Sequence, residues 1–260
     1  MDHTASRAMA NKVPLVTAAF WIIKVLATTV GETGADYLNF NVGLGLTLTA
    51  AVMTAALVVV LIFQLKQKRY VPWIYWLVVV FLSIVGTLIT DIMSDNLGVS
   101  LYLSTGLFLA ALAGTFSLWW RKEHTLSIHA IDTPSREAFY WAAILFTFAL
   151  GTAAGDLLSE QLGLGYAKSG MIFAGGIALV SLGYYAKALG SVLAFWIAYI
   201  LTRPLGASMG DYLTQSPSDG GLGLSSMTVS GSFLILIIGL VTYLTVTASD
   251  RLQRIGKTSD

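Results

Sequence analysis

The sequence repeats the pattern Trp-x9-Gly-x4-Asp four times, with starts that are spaced 55, 65 and 55 residues apart. A second glycine follows the aspartate by seven residues in three repeats and by twelve in the last. Self-similarity at a fixed period indicates one supersecondary unit used repeatedly, so the chain is expected to fold as four copies of one unit. The pattern residues are Trp21, Gly31 and Asp36; Trp76, Gly86 and Asp91; Trp141, Gly151 and Asp156; and Trp196, Gly206 and Asp211, with second glycines Gly43, Gly98, Gly163 and Gly223.

The composition indicates a protein that is embedded in a lipid bilayer. Hydrophobic residues make up 56% of the 260 residues and charged residues only 11%, whereas soluble domains carry roughly 25% charged residues. The mean hydropathy is +0.74. A net charge of +1 leaves no basic face for nucleic acid. With no cysteine in the chain, neither a disulfide framework nor a thiolate metal site is possible.

Eight apolar stretches are each near the ~20 residues that cross a hydrocarbon core. They predict an all-α integral membrane protein with eight transmembrane helices, arranged as four parallel-repeat helical hairpins. The expected organisation is an N-terminal segment 1–13, repeats 1 and 2 in 14–120, a linker 121–136, repeats 3 and 4 in 137–249, and a tail 250–260. The stretches cover 14–38, 44–64, 72–94, 98–120, 137–159, 165–186, 190–213 and 229–249.

The basic residues predict the orientation of these spans. Twelve of the fifteen lysines and arginines fall at the termini or in the loops on the same side. The positive-inside rule therefore places both termini in the cytoplasm. Because each repeat has two spans, all copies enter the membrane in the same direction and are related by a pseudo-fourfold, or two-plus-two, axis along the membrane normal. The odd helices carry most of the intramembrane polar residues, so they are expected to surround the interior.

Four carboxylates at one predicted depth, Asp36, Asp91, Asp156 and Asp211, are the main functional clue. One interpretation is that each side chain caps the hairpin turn that follows it, by accepting backbone N–H bonds. The other is a cation-attracting ring at the extracytoplasmic surface, since rings of acidic side chains concentrate cations at pore mouths. The sequence leaves both open.

Differences between the repeats single out three charged residues. Only the first repeat has Lys24 in mid-span and Glu32 directly after its glycine, and only the fourth has Arg203, followed by Pro204, which is expected to kink or break that helix. A charge at membrane depth costs at least ~2.5–3.5 kcal/mol unless it is paired. These charges are therefore expected to face the interior and each other, with Glu32 and Arg203 about one turn apart in height. Either a structural salt bridge or a proton or cation relay through Glu32 fits this pattern.

The ligand types in the predicted interior favour hard cations. Thr87 and Thr152 occupy the position of Glu32 in two other repeats and add hydroxyl oxygens near the same zone. Oxygen ligands suit Mg²⁺, Mn²⁺ or Ca²⁺ better than Zn²⁺ or Cu⁺. Glu32 and the four aspartates are thus candidate ligands of a divalent cation; no other cofactor is predicted, and the oligomeric state cannot be inferred.

The segments FWIIKVLATTVGETGAD, FYWAAILFTFALGTAAGD and FWIAYILTRPLGASMGD resemble a bacterial family of small multi-spanning proteins described as uncharacterised membrane-anchored proteins. The resemblance covers residues 13 to about 250 and implies a multi-pass protein of the bacterial inner membrane. In addition, Glu32 to Asp36 is similar to the Glu-x-Gly-Asp motif of a family of Ca²⁺ and Mn²⁺ cation/proton exchangers. This chain differs by one extra residue between the two carboxylates and by its parallel repeats.

Two classes of function follow. The first is a transporter or channel for a hard, divalent cation, with the aspartate ring at the outer mouth and Glu32 in the path. The second is a non-transporting structural or assembly membrane protein whose aspartates cap hairpin turns. The sequence has no Gly-x-Ser-x-Gly elbow, zinc motif or nucleotide-binding loop, so no enzymatic activity is expected.

Overall fold

The structure is a computed structural model and describes residues 11–257. Long helices account for most of these residues. Within that range the prediction of eight long helices is confirmed. Short π-helical turns follow the first, third and fifth helices. The long helices are α1 (Ala18–Asp36), α2 (Leu46–Lys66), α3 (Pro72–Asp91), α4 (Leu101–Glu123), α5 (Pro134–Asp156), α6 (Tyr166–Tyr185), α7 (Ser191–Thr214) and α8 (Ser226–Lys257).

Local signals in the sequence explain where several helices begin. The side chains of Thr17, Ser100 and Thr133 accept hydrogen bonds from backbone N–H groups in the first turns of α1, α4 and α5, which satisfies donors that a helix start leaves free. Pro72 and Pro134 occupy first-turn positions, where the missing N–H costs nothing.

Seven of the eight helices, α2 to α8, are long and apolar enough to cross a membrane. The exception is α1, whose 19 residues include the charged side chains Lys24, Glu32 and Asp36.

The odd helices form a closed inner ring, in which α1 packs on α3, α3 on α5, α5 on α7 and α7 on α1. In the apolar stretches of α3, α5 and α7, 61% of residues are buried, against 17–22% in the even helices. The even helices direct leucine, isoleucine, valine and phenylalanine side chains outward. The polar odd helices thus surround the centre, as their composition predicts.

Each even helix packs mainly against the odd helix of the next repeat: α2 on α3, α4 on α5, α6 on α7 and α8 on α1. The expected hairpins are therefore not packed pairs within one repeat. The packing of each even helix on the next repeat adds an outer contact between neighbouring repeats around the whole ring.

The two ends of the chain are described only in part. Residues 1–10 of the expected segment 1–13, and residues 258–260 of the expected tail, lie outside the described residues. Helix α8 continues past the expected boundary at 249 to Lys257. In the linker, a short 3₁₀ turn at Ile128–Ala130 packs on the core. Before α1, Lys12 forms an ion pair with the buried Glu137 of α5 at 2.5 Å.

Candidate functional site

The odd helices approach one another most closely at the four repeat glycines. Each glycine lies against the residue seven positions after the tryptophan of the next repeat. A Cβ atom at Gly151 would lie 2.3 Å from Cγ of Arg203, which is too close for unbonded carbons. Small residues at such crossings allow the helix backbones to approach. The contacts follow the ring in order: Gly31 with Ser83, Gly86 with Phe148, Gly151 with Arg203, and Gly206 with Thr28.

Arg203 projects from α7 into the centre of this ring and is fully buried. Its Nη2 atom donates to Glu32 Oε2 at 3.0 Å and to Thr152 Oγ1 at 2.6 Å, and it also contacts Thr87 Oγ1. Its Nη1 atom donates to the backbone oxygen of Thr28 at 3.4 Å. One guanidinium therefore joins the fourth repeat to the other three, and the sequence-predicted residues Glu32, Thr87 and Thr152 meet at it.

Helix α7 is not broken at Pro204, so of the expected kink or break the break is wrong. The helix runs without interruption from Ser191 to Thr214 with the proline inside it. The neighbouring helix packs closely on this region, since Gly206 lies against Thr28 across the α1–α7 contact. Packing inside a closed ring therefore outweighs the local tendency of proline to end a helix.

The four repeat aspartates come together at one end of the ring, which we call the Asp end. Together with Glu32 they line a cavity of about 230 Å³. Two further carboxylates, Asp95 and Glu160, bring the number in its wall to seven, and no basic side chain of the described residues lines it. Asp211 is only 5% exposed, and its side chain makes no hydrogen bond or ion pair with any described residue. The cavity wall thus concentrates acidic side chains, with Arg203 beneath Glu32.

The added carboxylates follow the repeat register. The position four residues after each repeat aspartate lines the cavity in all four repeats, as Phe40, Asp95, Glu160 and Gln215. This second tier was missed in the sequence interpretation, although counting four residues, about one helical turn, beyond each aspartate would have found it.

No hydrogen bond of the described residues supports the interpretation that the repeat aspartates cap the turns. The chain continues helically beyond Asp36, Asp91 and Asp156 as π-helical turns, and none of these three side chains caps the turn that follows. Asp211 lies inside α7. The reversal of the chain depends instead on the second glycine of each repeat, which has a positive φ in every copy, for example 75° at Gly43.

The same carboxylates do not form a ready-made chelating site. Across the part of the chain that the structure describes, no three His, Asp or Glu side chains are grouped so that they could hold a metal ion. The candidate metal ligands Glu32, Asp36, Asp91, Asp156 and Asp211 share one cavity, but they surround it without converging on one point.

Lys24 lies deeper in the ring and does not pair with Glu32, so the expectation that all three charges would face each other is wrong for it. Its side chain is fully buried, and its Nζ atom lies 4.3 Å from the ring centroid of Phe148 and 4.2 Å from that of Tyr199. Nζ has no hydrogen-bond partner among the described residues. The faces of these two aromatic rings are therefore the contacts that the structure shows for Nζ.

Aromatic side chains close the opposite end of the ring, the Trp end. The hydroxyl groups of Tyr75 and Tyr140 lie 2.5 Å apart, and both side chains are fully buried. The ring of Phe20 packs against Trp76 and Tyr199 at centroid distances of 5.5 and 6.3 Å. From the Asp end inward, the centre thus holds the acidic cavity, the Glu32–Arg203 pair, Lys24 and an aromatic plug.

Comparison with known proteins agrees with the internal repeat. Four segments match a family described as Repeat of Unknown Function (DUF347), at residues 19–70, 74–125, 139–188 and 194–250. These segments cover most of the chain, and each contains one of the four tryptophan-to-glycine units. No curated protein and no solved structure matches the chain.

Proposed function

We propose that this chain, which belongs to the DUF347 repeat family, is a transporter for a hard divalent cation of the Mg²⁺, Mn²⁺ or Ca²⁺ type. The observation that carries the proposal is the cavity at the Asp end, with seven carboxylates and no basic lining residue among the described ones. Asp211 in particular is only 5% exposed and lines this cavity. Burying unpaired carboxylates close together is costly, and a cation in the cavity would offset that cost.

The spacing of the carboxylates favours a cation that keeps part of its water shell. No three of the described acidic side chains can reach one bare ion, whereas a hydrated ion presents water hydrogens at a larger radius. Mg²⁺ dehydrates reluctantly and is commonly held through its waters by a few carboxylates. The proposed binding mode is therefore indirect, through water, with Glu32 and Asp211 as the most buried contacts.

The buried cations favour a gated transporter over an open channel. Beneath the cavity, Arg203 and Lys24 are both fully buried in the ring centre, and a passing cation would meet two like charges in a medium of low dielectric constant. In the proposed mechanism the substrate cation competes with the Arg203 guanidinium for Glu32. Loss of the Glu32–Arg203 pair, which is held at 3.0 Å, would then release the α7 contact and open the inner barrier.

We place the protein in the bacterial inner membrane with both termini and the Trp end in the cytoplasm. Seven helices are long and apolar enough for this placement, and the even helices carry an outward layer of exposed aliphatic side chains that suits lipid. The distribution of basic residues supports the orientation. The acidic cavity would then face the extracytoplasmic side.

The alternative is a non-transporting membrane protein in which the charged residues only stabilise the ring. The observation in its favour is that Arg203 already satisfies Glu32, Thr87 and Thr152 from the other three repeats. The turn-capping role of the aspartates, which this alternative also invoked, lacks the corresponding hydrogen bonds. The proposal of transport is therefore preferred.

Equilibrium binding of divalent cations to the detergent-purified protein distinguishes the transporter from the non-transporting alternative. Mn²⁺, Mg²⁺ and Ca²⁺ are titrated while the thermal midpoint is followed, with Asp211→Asn as the test variant and Asp219→Asn as the control, because Asp219 is an exposed carboxylate outside the cavity. Ion-dependent stabilisation in the wild type and in Asp219→Asn, but not in Asp211→Asn, supports the proposal. Equal stabilisation of both variants, or none in the wild type, contradicts it. A response to an organic polyamine alone would reassign the substrate class.

A further inference from the structure

The outer surface departs from fourfold symmetry at one seam. Three of the four repeat tryptophans are covered: Trp76, Trp141 and Trp196 are 1%, 5% and 4% exposed. Trp21 is only half-buried and lines an open groove of about 810 Å³ between α1, α6 and α7. The volume is within the range of ~300–1,000 Å³ that is typical of small-molecule sites.

The repeat register explains why this seam is open. Eighteen residues after the second glycine, the even helices carry Leu61, Phe116, Ser181 and Val241. In α4, Phe116 packs on Trp196 with ring centroids 4.9 Å apart, and its neighbour Trp119 covers the same tryptophan at 5.8 Å. The counterpart of Phe116 in α6 is the small residue Ser181, which lines the groove. The missing side chain leaves the seam at Trp21 uncovered.

The groove is mostly apolar and open towards the lipid-facing surface. Val16, Ile177, Val180 and Phe195 form its walls. At its edge Leu15 is 67% exposed, which is the environment of a lipid-facing side chain. From Ile177 to Tyr185 it extends about 12 Å along α6 at 1.5 Å per residue, close to one leaflet of a ~30 Å hydrocarbon core.

One end of the groove is polar and basic. His129 lines that end, and the exposed Lys187 follows the groove residue Tyr185 by two positions in the turn after α6. No acidic side chain of the described residues lines the groove. Tyr184 and Tyr185 at this level match the aromatic belt of a membrane interface. Apolar walls for half a membrane thickness, followed by basic groups, complement an anionic phospholipid.

We propose that this groove binds one anionic phospholipid of the cytoplasmic leaflet, with an acyl chain against Trp21 and the phosphate near Lys187 and His129. The inference uses the membrane placement of the proposed function, but not cation transport. A lipid wedged between α1 and α7 would contact the two helices that supply Glu32 and Arg203, and would thereby stabilise the ring at its one uncovered seam.

Native mass spectrometry with added phosphatidylglycerol or phosphatidylcholine tests the site. The wild type is expected to retain one phosphatidylglycerol. Ser181→Phe, which restores the side chain found at the same position in α4, is expected to abolish retention while the protein stays folded. Ser117→Phe is the matched control, since Ser117 is exposed on α4 and lies outside the groove. Retention by Ser181→Phe with unchanged affinity would overturn the proposal.

The headgroup is tested by Lys187→Gln, with Lys168→Gln as the control because Lys168 is also exposed but lies in the first turn of α6, at the other end of that helix. Lys187→Gln should reduce the preference for phosphatidylglycerol over phosphatidylcholine roughly fivefold, the effect of one basic residue near an anionic surface. An unchanged preference refutes the headgroup assignment. A two-chain species that Ser181→Phe removes would assign the groove to a second copy and overturn the lipid proposal. Asp211→Asn should bind lipid like the wild type, so failure of transport and failure of this site are distinguishable.

Discussion

The Glu32–Arg203 pair allows a quantitative test by a double-mutant cycle with Glu32→Gln and Arg203→Met. Both side chains are buried, with side-chain exposures of 8% and 0%, and their charged atoms lie 3.0 Å apart. Removal of one partner leaves the other charge buried and unpaired, which costs about 3–5 kcal/mol. The expected fall in thermal midpoint for each single variant is ~6–20 °C for a chain of this size.

The double variant should cost no more than either single variant, because it leaves no unpaired charge at the pair. The predicted coupling free energy is therefore about 3–5 kcal/mol, measured by reversible unfolding in detergent. The control cycle uses Arg136→Met and Glu123→Gln, a pair at 2.9 Å whose side chains are 23% and 14% exposed. Water screens that pair, so its coupling should be much smaller. Additive effects of Glu32→Gln and Arg203→Met would refute the assignment of a coupled buried pair.

Three further variants test the ring. Gly151→Ala places a methyl group 2.3 Å from the Arg203 side chain and should destabilise the protein by about 1–3 kcal/mol, whereas Gly175→Ala, with open space around it, should not; chemical unfolding of both checks this. Tyr75→Phe strands the buried hydroxyl of Tyr140 and should cost about 1–3 kcal/mol, most of it recovered in the double variant with Tyr140→Phe. Lys24→Met removes a buried charge that has no hydrogen bond and should leave the thermal midpoint unchanged or higher; a large fall would show that its cation–π contacts outweigh the burial cost.

The ring of odd helices was predictable because the repeat register carries it. Once the tryptophan, glycine and aspartate are aligned, equivalent residues must lie at equivalent heights around an axis. Glu32 and Arg203 depart from the pattern at neighbouring heights, so their contact also followed from the register. The four repeat aspartates of the cavity were predictable from the repeat. Asp95 and Glu160 could also have been predicted, because each lies one helical turn beyond a repeat aspartate.

Other features depend on how the helices pack, which the repeat spacing does not determine. A repeat spacing of 55 residues is equally compatible with an even helix that packs on its own repeat or on the next, and the chain adopts the second. The sequence predicts that Lys24 faces Glu32 and Arg203, but Phe148 occupies the Arg203 position of the third repeat, and its ring lies close to the lysine. The continuity of α7 at Pro204 likewise depends on neighbouring helices, not on its own sequence.

Cation flux into proteoliposomes is the most direct test of the proposed function. Purified protein is reconstituted, and uptake of Mn²⁺ and Mg²⁺ is followed with an internal indicator for the wild type, Asp211→Asn and Asp219→Asn at equal amounts of folded, inserted protein. Uptake by the wild type and by Asp219→Asn, with loss in Asp211→Asn, is the predicted result. No uptake above protein-free vesicles by the wild type, or full uptake by Asp211→Asn, would contradict transport through the acidic cavity.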